Sequence, residues 1–168
     1  MKWMLAAGAV AAVAACSSGG DDSSAFSTPA IRLTLNSQTG EVQFTDLSLS
    51  NMKPGDEMYA GLTVGNAGNA GFTYNMSTAQ SGDEDLAQAL RIGIAAVSGD
   101  SCTASVYRSG TSVYADTAGL SNAAISGRAL PAGHSAYLCF QVELPSDAGS
   151  AMQGESAGAT FNFTAQQS

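Results

Sequence analysis

The sequence Met58-Tyr59-Ala60-Gly61-Leu62-Thr63-Val64 places an apolar side chain at every second position. This period of two puts one row of side chains on a single face of a β-strand. A stretch rich in Gly and Asn follows at residues 66–71, and the alternation resumes at Phe72, Tyr74 and Met76. The strand–turn–strand pattern predicts antiparallel strands that bury one face.

The same alternation recurs through most of the chain. Residues 31–35 and 42–49 both show it, and we interpret them as the two strands of a hairpin. Further strands are predicted at residues 91–97, 136–144 and 157–165. The connections in the first half are too short for parallel crossovers. The sequence therefore predicts an all-β fold, an antiparallel β-sandwich of the jelly-roll or Greek-key class with about eight strands.

Two segments break the alternation. Residues 81–90 carry acidic side chains first and then Leu86 and Leu90, which predicts one short helical insert with a negatively charged N-terminus. The three adjacent acids lack the ligand spacing of a calcium-binding EF-hand loop. Residues 98–122 are the least regular stretch, and we interpret them as an excursion pinned by a disulfide.

The N-terminus is typical of an export signal. Residues 1–15 combine Lys2 with an apolar run of about 20 Å as a helix, too short to span a bilayer, which predicts a signal peptide. Val13-Ala14-Ala15-Cys16 matches a bacterial lipobox, so Cys16 is the predicted lipidation site. Residues 16–29 then form a polar tether, and residues 30–168 form the sandwich domain. Ordinary cleavage after Ala15, with Cys16 incidental, is the alternative.

The net charge and the cysteine content limit the binding partners and the cellular compartment that fit this sequence. Six Lys and Arg stand against 14 Asp and Glu, a net charge of −8, and the basic residues are scattered. Binding to nucleic acid is therefore excluded, because it needs a basic face. Cys102 and Cys139 are predicted to form a disulfide, as expected of an isolated pair in an exported chain.

Several short segments, in this order, resemble the camelysin/TasA family of secreted proteins. They are Met52-Lys53-Pro54-Gly55-Asp56, Leu62-Thr63-Val64-Gly65-Asn66-Ala67-Gly68, Asp85-Leu86-Ala87-Gln88-Ala89-Leu90-Arg91, Leu130-Pro131-Ala132-Gly133, Val142-Glu143-Leu144-Pro145-Ser146-Asp147-Ala148, Gln153-Gly154 and Phe161-Asn162-Phe163-Thr164-Ala165-Gln166-Gln167. The resemblance implies a jelly-roll domain exported with a dedicated type of signal peptide. Some members of that family assemble into fibres of the biofilm matrix, in which the N-terminal strand of one subunit completes the sheet of its neighbour.

The resemblance also carries a metallopeptidase label, which the residues do not support. The chain has a single histidine, His134, beside a Pro-Gly turn, and no His-Glu-x-x-His motif. We therefore predict no catalytic residue, no metal ligand and no cofactor, and interpret His134 as a turn residue. A camelysin-type metallopeptidase is the less favoured reading.

The function predicted is that of a non-enzymatic structural protein at the cell surface, a fibre subunit or a fibre anchor. Its partners are other copies of itself or other matrix and surface proteins, and it touches the membrane only through a lipid on Cys16. The assembly strand is predicted at Ile31, Leu33 and Leu35, which follow the tether directly. Without acylation the protein is secreted. The alternative is a surface module that binds a wall polymer or a protein ligand through residues 98–122.

Overall fold

The computed structural model describes residues 30–39, 43–44 and 48–168. Within them, strands dominate and are joined by two short α-helices and two 3-10 turns, at Leu120–Asn122 and Ser150–Met152. The elements are β1 (Leu33–Leu35), β2 (Gln38–Thr39), β3 (Gln43–Phe44), β4 (Ser48–Ser50), β5 (Glu57–Asn66), β6 (Phe72–Gly82), α1 (Glu84–Ala89), β7 (Arg91–Val97), α2 (Ala104–Ser109), β8 (Thr111–Ala118), β9 (Ala124–Leu130), β10 (Ser135–Glu143) and β11 (Ser156–Gln167). The predicted signal peptide, Cys16 and the tether lie outside these residues.

The strands form two antiparallel sheets, which confirms the predicted all-β sandwich. One sheet has six strands in the order β2-β1-β5-β10-β7-β8. The other has the order β3-β11-β6-β9, and β4 pairs with β11 as well. The consecutive long strands β5, β6 and β7 alternate between the sheets, as do β9, β10 and β11. Each of these strands therefore turns one face toward the opposite sheet.

The alternating positions form the core between the sheets. Leu62 and Val64 of β5 are buried, as are Phe72 and Tyr74 of β6. At the centre, the rings of Phe140 and Phe161 meet across the sheets with centroids 4.8 Å apart. Aromatic pairs at this distance add to the stability that their burial provides.

The predicted hairpin of residues 31–35 with residues 42–49 is wrong. β1 pairs with β2 and β5 in the six-stranded sheet, whereas β3 and β4 pair with β11 in the other sheet. Alternation identifies the face that a strand buries, but two strands with matching faces can lie in opposite sheets of a sandwich. β1 turns back into β2 of its own sheet, whereas β3 and β4 belong to the other sheet.

The predicted helical insert is present as α1. The Asp83 carboxylate accepts a hydrogen bond of 2.8 Å from the Leu86 amide and caps its N-terminus. A second helix, α2, was not predicted; it lies in the irregular stretch, and Thr103 caps it. Strand β9 was also not predicted. No helix in the described part of the chain is long and apolar enough to cross a membrane.

We expect Phe161→Ala to lower the free energy of unfolding by about 3–5 kcal/mol, because it opens a cavity at the fully buried contact with Phe140. Phe163→Ala is the matched control on the same strand, and its cost should be smaller because this ring is half-buried. Urea unfolding followed by circular dichroism measures both values. Equal losses for the two variants would contradict the assigned centre of the core.

Candidate assembly site at the N-terminal strand

The three residues predicted to form the assembly strand lie beside β5 and the loop that follows it, near the end of the six-stranded sheet where β2 is the outermost strand. β1 pairs antiparallel with β5, Leu33 opposite Asn66 and Leu35 opposite Val64. Leu35 is fully buried, while Ile31 and Leu33 are half-buried and pack on the core. The N-terminal strand therefore contributes both ladder hydrogen bonds and apolar contacts to its own sandwich.

Pairing continues upstream of β1. The Ala67 amide donates to the Arg32 carbonyl at 2.9 Å, and the Asn69 amide donates to the Ala30 carbonyl at 3.0 Å. The Asn69 side chain in turn accepts a hydrogen bond of 2.6 Å from the Ala30 amide. The loop that follows β5 thus holds the chain before β1 begins.

A tight turn holds the other end of β1. Asn36 and Ser37 both have positive φ, 47° and 67°, as the two central residues of a type I′ hairpin turn do. The Asn36 amide donates to the Thr63 carbonyl at 2.9 Å, and its side-chain oxygen accepts from the Thr63 amide at 2.9 Å. The N-terminal segment, residues 30–37, is therefore paired with residues 63–69 along its whole length.

Two glycines make room for this segment. A Cβ atom on Gly65 would overlap the Thr34 hydroxyl, and one on Gly68 would overlap the Ala30 carbonyl and come within 2.8 Å of the Arg32 amide. Both glycines have φ values that other residues adopt. They are therefore required by the close approach of the N-terminal segment and not by backbone conformation. We call residues 63–69 the cradle.

A buried asparagine organises the cradle. Asn66 is 2% exposed, and its side-chain amide donates to the carbonyls of Ala70 at 2.8 Å and Leu130 at 3.1 Å. Its side-chain oxygen accepts from the Gly68 amide at 3.0 Å. Because these bonds join the cradle loop to the end of β9, Asn66 fixes the loop against which residues 30–32 pair.

His134 lies at the turn before β10, as predicted. Its backbone carbonyl accepts from the Asn66 amide at 2.9 Å, and its exposed ring places Nδ1 2.9 Å from the Ala132 carbonyl oxygen. The described residues contain no group of three or more His, Cys, Asp or Glu side chains arranged to hold a metal ion. The histidine thus supports the turn beside the cradle.

The two predicted disulfide partners are brought together on the outer face of the six-stranded sheet. The sulfur atoms of Cys102 and Cys139 are 1.95 Å apart and the Cα atoms 5.2 Å apart. Cys139 stands between Gly61 and Ala95 on the neighbouring strands. A Cβ on Gly61 would approach the Asp100 carbonyl oxygen within 3.1 Å. These small residues therefore let residues 98–110, the first part of the excursion, pack closely against the outer face of the sheet.

Tyrosines and one ion pair complete the contact of the excursion with the sheet. The Tyr107 hydroxyl occupies the space where a Cβ of Gly93 would stand. Arg108 lies 3.6 Å from Glu57, which also accepts a hydrogen bond of 2.6 Å from Tyr59. Burial raises the pKa of Tyr59, and the bond to Glu57 raises it further. Burial, followed by the charge of Asp116, likewise raises the pKa of Tyr107. Both phenols are therefore neutral at physiological pH.

A cavity lies beside the excursion. In the alternative hypothesis, the excursion is the segment that binds a wall polymer or a protein ligand. Its volume is about 310 Å³, and its lining of small polar and apolar side chains includes Val97, Ser98, Ser101, Val106, Ser109 and Thr111. This volume is at the lower end of the range for small-molecule sites. The lining has no charged or aromatic side chain to orient a ligand.

No protein-family model matches this chain, and no curated protein matches it. The resemblance to the camelysin/TasA family therefore stays a prediction from the quoted segments.

Gly68→Ala should release the N-terminal segment, because the added methyl overlaps the Ala30 carbonyl. We expect faster hydrogen exchange at residues 30–37 and a loss of about 1–3 kcal/mol in unfolding free energy. Gly99→Ala is the control, since its Cβ meets no atom within 4 Å. Exchange-coupled mass spectrometry compares the two. Similar exchange in both variants would show that Gly68 does not hold the segment in place.

Peptide mapping without reductant should recover Cys102 linked to Cys139. Replacing both with alanine should lower the unfolding free energy by up to about 4 kcal/mol, because the bond closes a long loop in the unfolded chain. Ser101→Ala serves as a control that leaves the bond in place. Free thiols at both positions in freshly purified protein would refute the pairing.

Proposed function

We propose that this chain is a non-enzymatic structural protein of the cell surface whose subunits assemble by β-strand addition. In the assembled form, the N-terminal segment of one subunit occupies the cradle of the next. The proposal rests on one observation. The N-terminal segment pairs with the cradle, and Gly65 and Gly68 leave the space in which it lies.

Exchange of this segment conserves its interactions. The hydrogen bonds to Thr63, Ala67 and Asn69, and the burial of Leu35, are the same whether the strand comes from its own chain or from another. Exchanging an identical element between protomers therefore costs little in contact energy. Subunit concentration and the entropy of the connecting chain determine whether the strand pairs within its own subunit or with another one. A strand that leaves one cradle for the next produces a head-to-tail polymer.

Other long edges carry features that oppose direct edge-to-edge pairing. On β8, the Ala115 carbonyl accepts from the Thr117 hydroxyl at 2.8 Å and the Ala118 carbonyl from the Asn122 amide at 3.0 Å. On β9, the half-buried Arg128 follows a register irregularity in the pairing with β6. Blocked carbonyls, irregular register and inward charges suppress edge association. These features favour assembly through the cradle.

The export signals fit this role. Cys16 within the lipobox would attach the N-terminus to a membrane through a lipid, and residues 17–29 are long enough to hold the domain away from it. An acylated subunit is then a fibre anchor, because its N-terminal segment is tied to the membrane. A subunit cleaved without acylation is a free fibre subunit. The proposed function includes no catalytic activity, because the single histidine of the chain, His134, lies exposed in a turn.

The proposal is tested with a chain that lacks the residues before 40 and a synthetic peptide of residues 25–39. The full-length protein should elongate into fibres without an added ligand, as seen by electron microscopy, and the shortened chain should not. The shortened chain should bind the peptide in calorimetry, because its cradle is empty.

Glycine variants provide the matched control for this experiment. Gly68→Ala in the shortened chain should lower the affinity for the peptide at least about tenfold, the equivalent of 1.4 kcal/mol. Gly99→Ala should leave the affinity unchanged, since a Cβ at this residue meets no atom within 4 Å. Fibres that form unchanged without residues 25–39 would end the strand-addition proposal.

A further inference from the structure

The outer face of the five-stranded sheet carries no charged side chain among the described residues of β6, β9 and β11. We call this surface the neutral face. Strand alternation and register place on it, on β6 and β11, Thr73, Asn75, Ser77, Ala79, Ser81, Gly158, Thr160, Asn162, Thr164 and Gln166. On β9 it includes Ala124 and Ala129. All of these residues are exposed or half-exposed.

The opposite surface of the sandwich is different. One cross-strand row on the outer face of the six-stranded sheet consists of Glu57, Glu143 and Arg91, and the excursion adds Arg108. In a chain with 14 acidic residues and a net charge of −8, charged side chains are thus absent from the outer faces of β6, β9 and β11 and present on the outer face of the other sheet. The neutral face is where two copies of this acidic protein can approach without placing like charges opposite each other.

The chemistry of the neutral face suits a second copy of itself. Hydroxyl groups of Ser and Thr and side-chain amides of Asn are each both donors and acceptors of hydrogen bonds. A surface of such groups is self-complementary, so a two-fold pairing satisfies its polar atoms without requiring charges of opposite sign. From this pattern and the charge distribution, we propose that two subunits associate face to face through their neutral faces.

The area of the neutral face and the short side chains on it both agree with a second copy of the protein as the partner. Strands about 11 residues long, spaced about 4.8 Å apart, give a face of roughly 36 by 15–19 Å, or about 1,100–1,400 Å² buried over two partners. Standard specific interfaces bury about 1,200–2,000 Å². Most side chains on the face are short, and Gln166 alone among those named is long and flexible. Little side-chain entropy is therefore lost when the surface is covered.

Charge exchange at the centre of the face tests the pairing. Ser77 and Asn162 are exposed register partners on β6 and β11. One variant of the full-length protein carries Ser77→Glu and Asn162→Glu, and the other carries Ser77→Lys and Asn162→Lys. Both variants are made in full-length Gly68→Ala protein, in which strand exchange is blocked. Sedimentation velocity should show a concentration-dependent dimer for the Gly68→Ala protein without the added charges. Each variant alone should raise the dissociation constant at least about tenfold, because like charges are opposed.

An equimolar mixture of the two variants should restore the dimer, which a loss of folding could not do. Ser112→Glu, an exposed change on β8 of the other sheet, is the control and should leave association unchanged. A monomeric Gly68→Ala protein, charge variants that associate normally or a mixture that stays monomeric would each overturn the proposal. Gly68→Ala should retain face pairing, so failure of strand exchange and failure of face pairing are distinguishable.

Discussion

Burial of one face of every long strand between two sheets is the constraint on which the other features depend. Because β5, β6 and β7 alternate between the sheets, as do β9, β10 and β11, their apolar positions meet in a single core centred on Phe140 and Phe161. The outer faces make no contribution to this core. The two outer faces can therefore differ in composition. One carries the disulfide-linked excursion, and the other has no charged side chain on the described residues of β6, β9 and β11.

The N-terminal segment is bound to this framework in a different way from the other strands. Among the described strands of its sheet, only the two-residue β2 lies outside it. Gly68 leaves room for its backbone, and Gly65 leaves room for the Thr34 hydroxyl. Removing it uncovers one strand edge and the site of Leu35, whereas removing a central strand such as β10 would divide the sheet. Of the elements in the described chain, this segment is well suited to being supplied by another subunit.

Sequence alternation predicted the class of the fold and most long strands, because burial of one face leaves a period of two in any sandwich. It did not predict strand partners, so residues 31–35 and 42–49 were wrongly joined in a hairpin. It also missed α2, a six-residue helix with no buried side chain and therefore no apolar stripe. Of the cradle glycines, Gly68 fell in the predicted turn at residues 66–71. The close contacts of Gly65 with Thr34 and of Gly68 with Ala30 link positions far apart in sequence, which a local pattern does not record.

The two proposed contacts use different surfaces and have different symmetry, and this determines what they build together. Strand exchange joins a donor segment to an unlike surface, the cradle, so it is heterologous and continues without limit unless a ring closes. Pairing of neutral faces joins like with like and ends at two copies. Growth along the exchange direction, with pairing across it, therefore gives a filament of two strands. The outer face of the other sheet, where Glu57 and Glu143 lie beside Arg91 and Arg108, takes part in neither contact.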